Sequence, residues 1–389
     1  MIKRQIAKEL DVLLQEYPIV TLLGPRQAGK TTLARSALPD YAYSNLELPE
    51  VRQFAQNDPK AYLDQFDGPV VIDEIQRVPE LLSYIQAIVD EEQQNGRFVL
   101  TGSHQLRLRE AVSQSLAGRT ALLNLLPLSI PELTSAGIEY GRFEEYAFHG
   151  FLPRIYDQSQ RPTTAYSNYY QTYVERDVRQ LINLKDLSLF EKLLKLLAGR
   201  TGQLVDYSSL ANDVGVDAKT VRNWLSILEA SFLVFKLPAY FENFGKRVIK
   251  APKYYYTDVG LLCFLLGIRS ADQITRDPLV GSIFENLIVI ECLKTRYNNG
   301  LLPDLYYFRD SKGNEVDLVA QTGRSVSAIE IKSAATFSTS MLKGLHRFQK
   351  LSEAVQSAFL VYNGSHYRMS DGTEALPFKE SARALLEKP

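Results

Sequence analysis

The stretch IVTLLGPRQAGKTTLARSAL, residues 19–38, leaves the chain little freedom. Four apolar residues around Thr21 suit a buried strand, the spacing after Thr31 is helical, and the loop between them reads G-x-x-x-x-G-K-T through Gly24, Gly29, Lys30 and Thr31. A glycine loop at a helix N-terminus turns backbone N–H groups toward the β- and γ-phosphates of a nucleotide. Lys30 adds a point charge there, and the Thr31 hydroxyl is placed to reach Mg²⁺. Pro25, Arg26, Gln27, Ala28 and Thr32 complete the candidate nucleotide-binding set.

A second strand pattern supports the first. GPVVIDEIQ, residues 68–76, is an apolar run ending in Asp73 and Glu74. In P-loop ATPases, which this pattern resembles, the first acid at such a strand end orients the metal shell and the next can polarise the attacking water. RFVLTGS (97–103) is another buried strand whose Ser103 is placed to sense a γ-phosphate, and TALLNLLPLS (120–129) is a further one. Strand–helix alternation with five apolar strands predicts an α/β domain with a parallel sheet covered on both faces. Over residues 1–155 the chain resembles the AAA+-type ATPases, in particular a prokaryotic group with G-P-R-Q-x-G-K-T and V-x-x-D-E-x-Q. The resemblance implies that Lys30 and Thr31 bind ATP and Mg²⁺, Asp73 the metal shell and Glu74 the water. It also makes Arg119, in SLAGRT, a candidate finger for a neighbouring subunit's γ-phosphate, with Arg26, Arg107, Arg109 and Arg154 as alternatives. That role implies a homo-oligomer, a ring among its forms.

Composition narrows the setting. With 389 residues, 45% hydrophobic and 23% charged, the chain has material for two or three globular domains. A net charge of −1 means that any nucleic-acid surface must be local. Cys263 and Cys292 lie in apolar runs and read as buried thiols, and the four histidines have no zinc spacing. MIKRQIAKEL reads as an amphipathic helix without a signal-peptide core, and no apolar run approaches a membrane span. A cytoplasmic protein is expected.

Residues 156–200 read as a tyrosine-rich helical lid. Within 201–255, Ser208 or Ser209 is expected to cap a short helix, Gly215 to make a turn, and Asp217 to cap a second helix whose inner face is Val221, Trp224, Leu225 and Leu228. Two apolar strands follow, so the segment resembles a winged helix-turn-helix. That likeness puts Lys219, Thr220, Arg222 and Asn223 on the side facing DNA. Lys236, Lys246, Arg247, Lys250 and Lys253, interleaved with Tyr240, Phe241 and Phe244 and followed by Tyr254–Tyr256, suit phosphate contact and base stacking.

Residues 256–389 contain helix, strand, EVDLVAQ, turn, SAIEIK, helix, strand. The order resembles the PD-(D/E)xK nucleases, an α/β restriction-endonuclease-like fold, with Val316 where the name-giving proline would stand. The resemblance implies Asp317, Glu330 and a helix acid, Glu285, as ligands to Mg²⁺ or Mn²⁺, with Lys332 serving the attacking water. Three acids against one lysine would leave charge for a metal to balance. The whole chain thus resembles a family of prokaryotic ATPases whose tail was long a domain of unknown function. It implies an ATPase that remodels, moves along or processes DNA, with a metal-dependent nuclease-like tail. The alternative is a nucleotide-driven switch or defence regulator whose tail binds DNA or protein without cutting.

Overall fold

The apolar run before the glycine loop becomes β1 (Ile19–Leu23), buried at all five positions. It lies inside a five-stranded sheet with β2 (Ala42–Asn45), β3 (Val70–Asp73), β4 (Phe98–Gly102) and β5 (Thr120–Asn124), in the order β2-β3-β4-β1-β5. All four pairings are parallel. The computed structural model describes residues 1–102, 115–173, 187–241 and 250–386. Ser103, Arg107, Arg109, Lys246 and Arg247 lie outside the described residues.

Parallel strands bury both faces, which is why β1, β3 and β4 are mostly apolar and buried throughout. Edge strand β2 alternates instead, as AYSN, and its pattern does not announce it. β5 ends at Asn124, earlier than the apolar run in the sequence suggests. One core forms where the helices Ala7–Glu16 and Lys30–Ala37 bring Leu10, Leu14, Leu33 and Ala34 onto Val20, Leu22, Val99 and Leu123.

The chain divides into two compact units. The first is Met1–Leu128 with Ala230–Phe232 and Tyr297–Leu301; the second is Ser129–Glu229, Leu233–Arg296 and Leu302–Pro389. In the second, helices Tyr207–Val214 and Ala218–Ala230 are joined through Gly215, in left-handed backbone at φ 97°. Asp217 caps the second helix by accepting from the Thr220 N–H at 2.9 Å, as expected. The first is capped by Asp206, not by Ser208 or Ser209, because the helix begins one turn earlier. Val221, Trp224, Leu225 and Leu228 are buried, while Lys219, Arg222 and Asn223 are exposed.

A two-stranded antiparallel ribbon follows, β6 (Val234–Leu237) with β7 (Lys253–Tyr256). The segment leaving β6 is tied to the C-terminal sheet: the Tyr240 N–H donates to the Tyr307 carbonyl at 2.7 Å, and the Tyr307 N–H to the Pro238 carbonyl at 3.0 Å. That sheet has the order β12-β13-β11-β10-β9-β8, with β8 (Leu305–Arg309), β9 (Glu315–Thr322), β10 (Ser325–Lys332), β11 (Val355–Tyr362), β12 (Tyr367–Arg368) and β13 (Glu374–Pro377). β9 and β10 form the expected antiparallel hairpin, and β10 pairs parallel with β11 across the helix Lys343–Gln349. Among the described residues no helix is long and apolar enough to cross a membrane.

Candidate functional site

In the first unit the glycine loop folds tightly against the end of β5. A Cβ at Gly24 would lie 2.0 Å from the Leu125 carbonyl oxygen, so only glycine fits. Gln27 (φ 61°) and Gly29 (φ 93°) are left-handed, the kind of backbone that turns successive N–H groups into a concavity for an anion. Lys30 opens the helix Lys30–Ala37, is buried, and folds back on the loop, donating to the carbonyls of Gly24 and Pro25 at 2.9 Å each. Burial pushes its ammonium down to about 8, against the pull of Glu74 and Asp73.

Thr31 Oγ1 donates to Asp73 Oδ2 at 2.8 Å, joining the loop to the end of β3. Two residues the sequence did not single out complete this knot. Tyr43, on β2, donates to the same Oδ2 at 2.7 Å, and Thr101, on β4, donates to Oδ1. The signal for Thr101 was a hydroxyl in an otherwise apolar strand; Tyr43 gave none, because its strand was itself unmarked. Glu74 takes left-handed backbone (φ 59°), uncommon for a residue with a side chain, and accepts from the side-chain amide of Gln76. Arg26 lies 3.7 Å from Glu47, and Arg119 donates to Asp90 at 2.8 Å. These residues fit a magnesium nucleotide: a left-handed loop, a lysine that can leave two carbonyls for phosphates, and a hydroxyl–carboxylate pair beside them.

The second unit gathers the other predicted acids. Asp317 on β9 accepts from the Ile331 N–H at 2.8 Å and from Lys332 Nζ at 3.1 Å, and Lys332 also pairs with Glu330 at 2.6 Å. Alternation puts Glu330 and Lys332 on one face of β10, as expected. Burial and then the charge of Asp317 push Glu330 up to about 8, although Lys332 pulls the other way. Burial alone would lower the Lys332 ammonium, but Asp317 and Glu330 outweigh it and hold the group above its ordinary value. A lysine so held can position a water but is poorly suited to deprotonate one.

Lys253 does not belong to a basic rim: it is buried, and β7 carries it to Glu285 at 3.1 Å and Glu315 at 2.6 Å. Glu285, on the helix Val280–Asn298, faces that lysine and the Tyr255 hydroxyl, 2.6 Å away. Glu315 also meets Arg309 at 3.1 Å. The cluster therefore sets Lys253, Lys332 and Arg309 against Glu285, Glu315, Asp317 and Glu330, so the excess of two acids expected from three acids and one lysine falls to one. Among the described residues no three His, Cys, Asp or Glu side chains are gathered to hold a metal ion. As arranged, the cluster does not fit Mg²⁺ or Mn²⁺.

The aromatic rim is corrected as well. Tyr240 packs in the core of the C-terminal sheet with Phe308 and Phe348, and Tyr254, Tyr255 and Tyr256 are buried. Phe241 alone of the described rim aromatics is exposed, with Lys250 over its ring at 5.8 Å. Arg222 stands over Tyr207 at 5.0 Å.

Residues 16–134 match the AAA domain family, and with the loop geometry this makes the first unit a P-loop ATPase domain of the AAA class. Two families described as domains of unknown function, DUF8612 and DUF4143, match residues 140–272 and 280–381. Uncharacterized protein Rv2008c of Mycobacterium tuberculosis is 31% identical over 382 residues, covering 96% of this chain and 83% of that protein. Uncharacterized protein Mb2031c of Mycobacterium bovis matches to the same extent. The chain belongs to the family of these mycobacterial proteins. The Walker-type ATPase PABY2304 of Pyrococcus abyssi superposes at TM-score 0.45 and 14% identity, over 67% of this chain and 94% of that one.

Proposed function

We propose that the protein hydrolyses ATP to remodel, move along or process DNA, and that its C-terminal domain is nuclease-like in build. The observation that carries the ATP half is the meeting of Lys30, Thr31, Asp73 and Glu74 at one end of one sheet. The triphosphate lies along the loop N–H groups, and Lys30 exchanges two carbonyls for phosphate oxygens. Thr31 and Asp73 would hold Mg²⁺, which would supply charge neutralisation for the phosphates. Water attacks the γ-phosphorus, the bond to the ADP oxygen breaks, and Glu74, freed from Gln76, takes the water's proton. Arg119 meets the γ-phosphate of a neighbouring copy, which requires it to leave Asp90.

The DNA half rests on the helix Ala218–Ala230, apolar inside with Lys219 and Arg222 outside, and on the exposed Lys250. A winged helix-turn-helix presents such a face to a groove. Changing Lys219, Arg222 and Lys250 to alanine should weaken binding to duplex, single-stranded and branched DNA. The slope of log affinity against log salt should fall by about 1 for each lost phosphate contact. Unchanged affinity and slope would remove DNA from this face.

A second reading has its own support. The seating of Lys253 among the acids favours a nucleotide-driven switch whose tail holds DNA or protein without cutting. Incubation of DNA with Mg²⁺ or Mn²⁺, with and without ATP, separates the two. Cutting that Asp317→Asn abolishes supports the nuclease, and intact DNA supports the switch.

A further inference from the structure

We propose that Lys253 is the resident cation of the C-terminal carboxylate cluster, and that its ammonium keeps a divalent cation out. The proposal rests on reading that cluster as nuclease-like, and deepens it by naming the group that keeps it closed.

The lysine comes from outside the sheet that carries the acids. It opens β7 of the ribbon, whereas Glu315, Asp317 and Glu330 stand on β9 and β10, and Glu285 on the helix Val280–Asn298. Its side chain is 3% exposed, so the ammonium is stripped of most water and depends on carboxylates for compensation. It finds Glu285 at 3.1 Å and Glu315 at 2.6 Å. Burial would push its pKa down, but Glu285, Asp317 and Glu315 more than reverse this and keep it charged.

Two further features fit a site built for a cation and filled by this one. Glu330 is 7% exposed, and its Oε2 has no hydrogen-bond partner, although its Oε1 holds Lys332. A buried carboxylate oxygen without a donor is costly in a finished salt-bridge cluster, yet suits a ligand atom kept in reserve. Backbone also closes in on the acids where side chains would obstruct. A Cβ at Gly202 (φ 72°) would lie 3.2 Å from Glu285 Oε1, and one at Gly344 would lie 3.2 Å from Glu330 Oε2 and 2.3 Å from the Glu315 carbonyl.

Lysine and metal then compete for the same oxygens. An ammonium at Glu285 and Glu315 repels a dication, and satisfies two acids that the dication would need. Withdrawing Lys253 leaves four acids facing Lys332 and Arg309, an imbalance that a divalent cation relieves.

The test is Mn²⁺ binding to the full chain without nucleotide, read by electron paramagnetic resonance. The unaltered chain should show no Asp317-dependent site tighter than about millimolar. Lys253→Met should gain one, with affinity raised at least about tenfold, and Asp317→Asn added to it should abolish the gain. Because Lys253→Met strands Glu285, the second variant is Lys253→Gln, whose amide can still donate to Glu285 without the charge; it should fold by circular dichroism and also gain the site. If the unaltered chain already binds Mn²⁺ through Asp317, the cluster is a metal site and the role given to Lys253 is wrong. If the folded Lys253→Gln variant gains nothing, the acids are not cation ligands and the proposal falls, while the DNA-cutting test with Asp317→Asn decides the nuclease-like reading separately.

Discussion

Nucleotide binding should take up a proton, and the amount follows from Lys30. Its ammonium is buried, folded onto two carbonyls and pushed down to about 8 from an ordinary 10.5. That displacement amounts to about 3 kcal/mol disfavouring the charged form in the empty loop. The sign is that of a base with a lowered folded pKa. Its cost to stability is fully present below pH 8 and is relieved as pH rises from 8 towards 10.5. Phosphates supply the missing counter-charge and restore the proton.

In the nucleotide-free protein the charged fraction is about nine-tenths at pH 7, half at pH 8 and a tenth at pH 9. The association constant for ATP should therefore fall about tenfold from pH 7 to pH 9, with proton uptake rising from about 0.1 to about 0.9 per nucleotide. Isothermal titration calorimetry in two buffers of different ionisation enthalpy measures both. Lys30→Arg, whose guanidinium stays charged, should bind without the uptake. Flat affinity and no proton uptake in the unaltered chain would refute the claim that the empty loop strains this lysine.

Gly24→Ala should abolish nucleotide binding while the fold persists, because its Cβ would overlap the Leu125 carbonyl at 2.0 Å and the loop must move; retained binding in a folded variant contradicts that packing. For Arg119, mixing Arg119→Ala with Glu74→Gln chains should restore part of the ATPase, since one mixed interface pairs an intact Glu74 with an intact Arg119. No recovery in mixed oligomers would place Arg119 in its Asp90 pair alone.

What the sequence made legible divides along physical lines. The loop, Lys30, Thr31, Asp73 and Glu74 were readable because a phosphate cradle constrains residue type and spacing within a few positions. The hairpin carrying Asp317, Glu330 and Lys332 was readable for the same local reason. Tyr43 was not, since β2 is an edge strand with a mixed pattern and its bond to Asp73 spans 30 residues. Lys253 was misread because a window of sequence shows lysines near aromatics but not which way a strand faces. Its partner Glu285 lies 32 residues on, and only the pairing of β7 with β6 turns the lysine inward. The buried tyrosines of β7 were misread with it, as a stacking surface in place of a core. The cap at Asp206 was missed by two or three residues, the usual uncertainty where a helix start has several polar candidates.

The central claim is that Glu74 accepts the proton from the water that splits ATP in this loop. Single-turnover phosphate release from bound ATP, comparing the unaltered chain with Glu74→Gln, tests it most directly. Both should bind ATP, and release should slow at least about a hundredfold in the variant, the usual worth of a positioned general base. Release at the unaltered rate from Glu74→Gln would contradict the account.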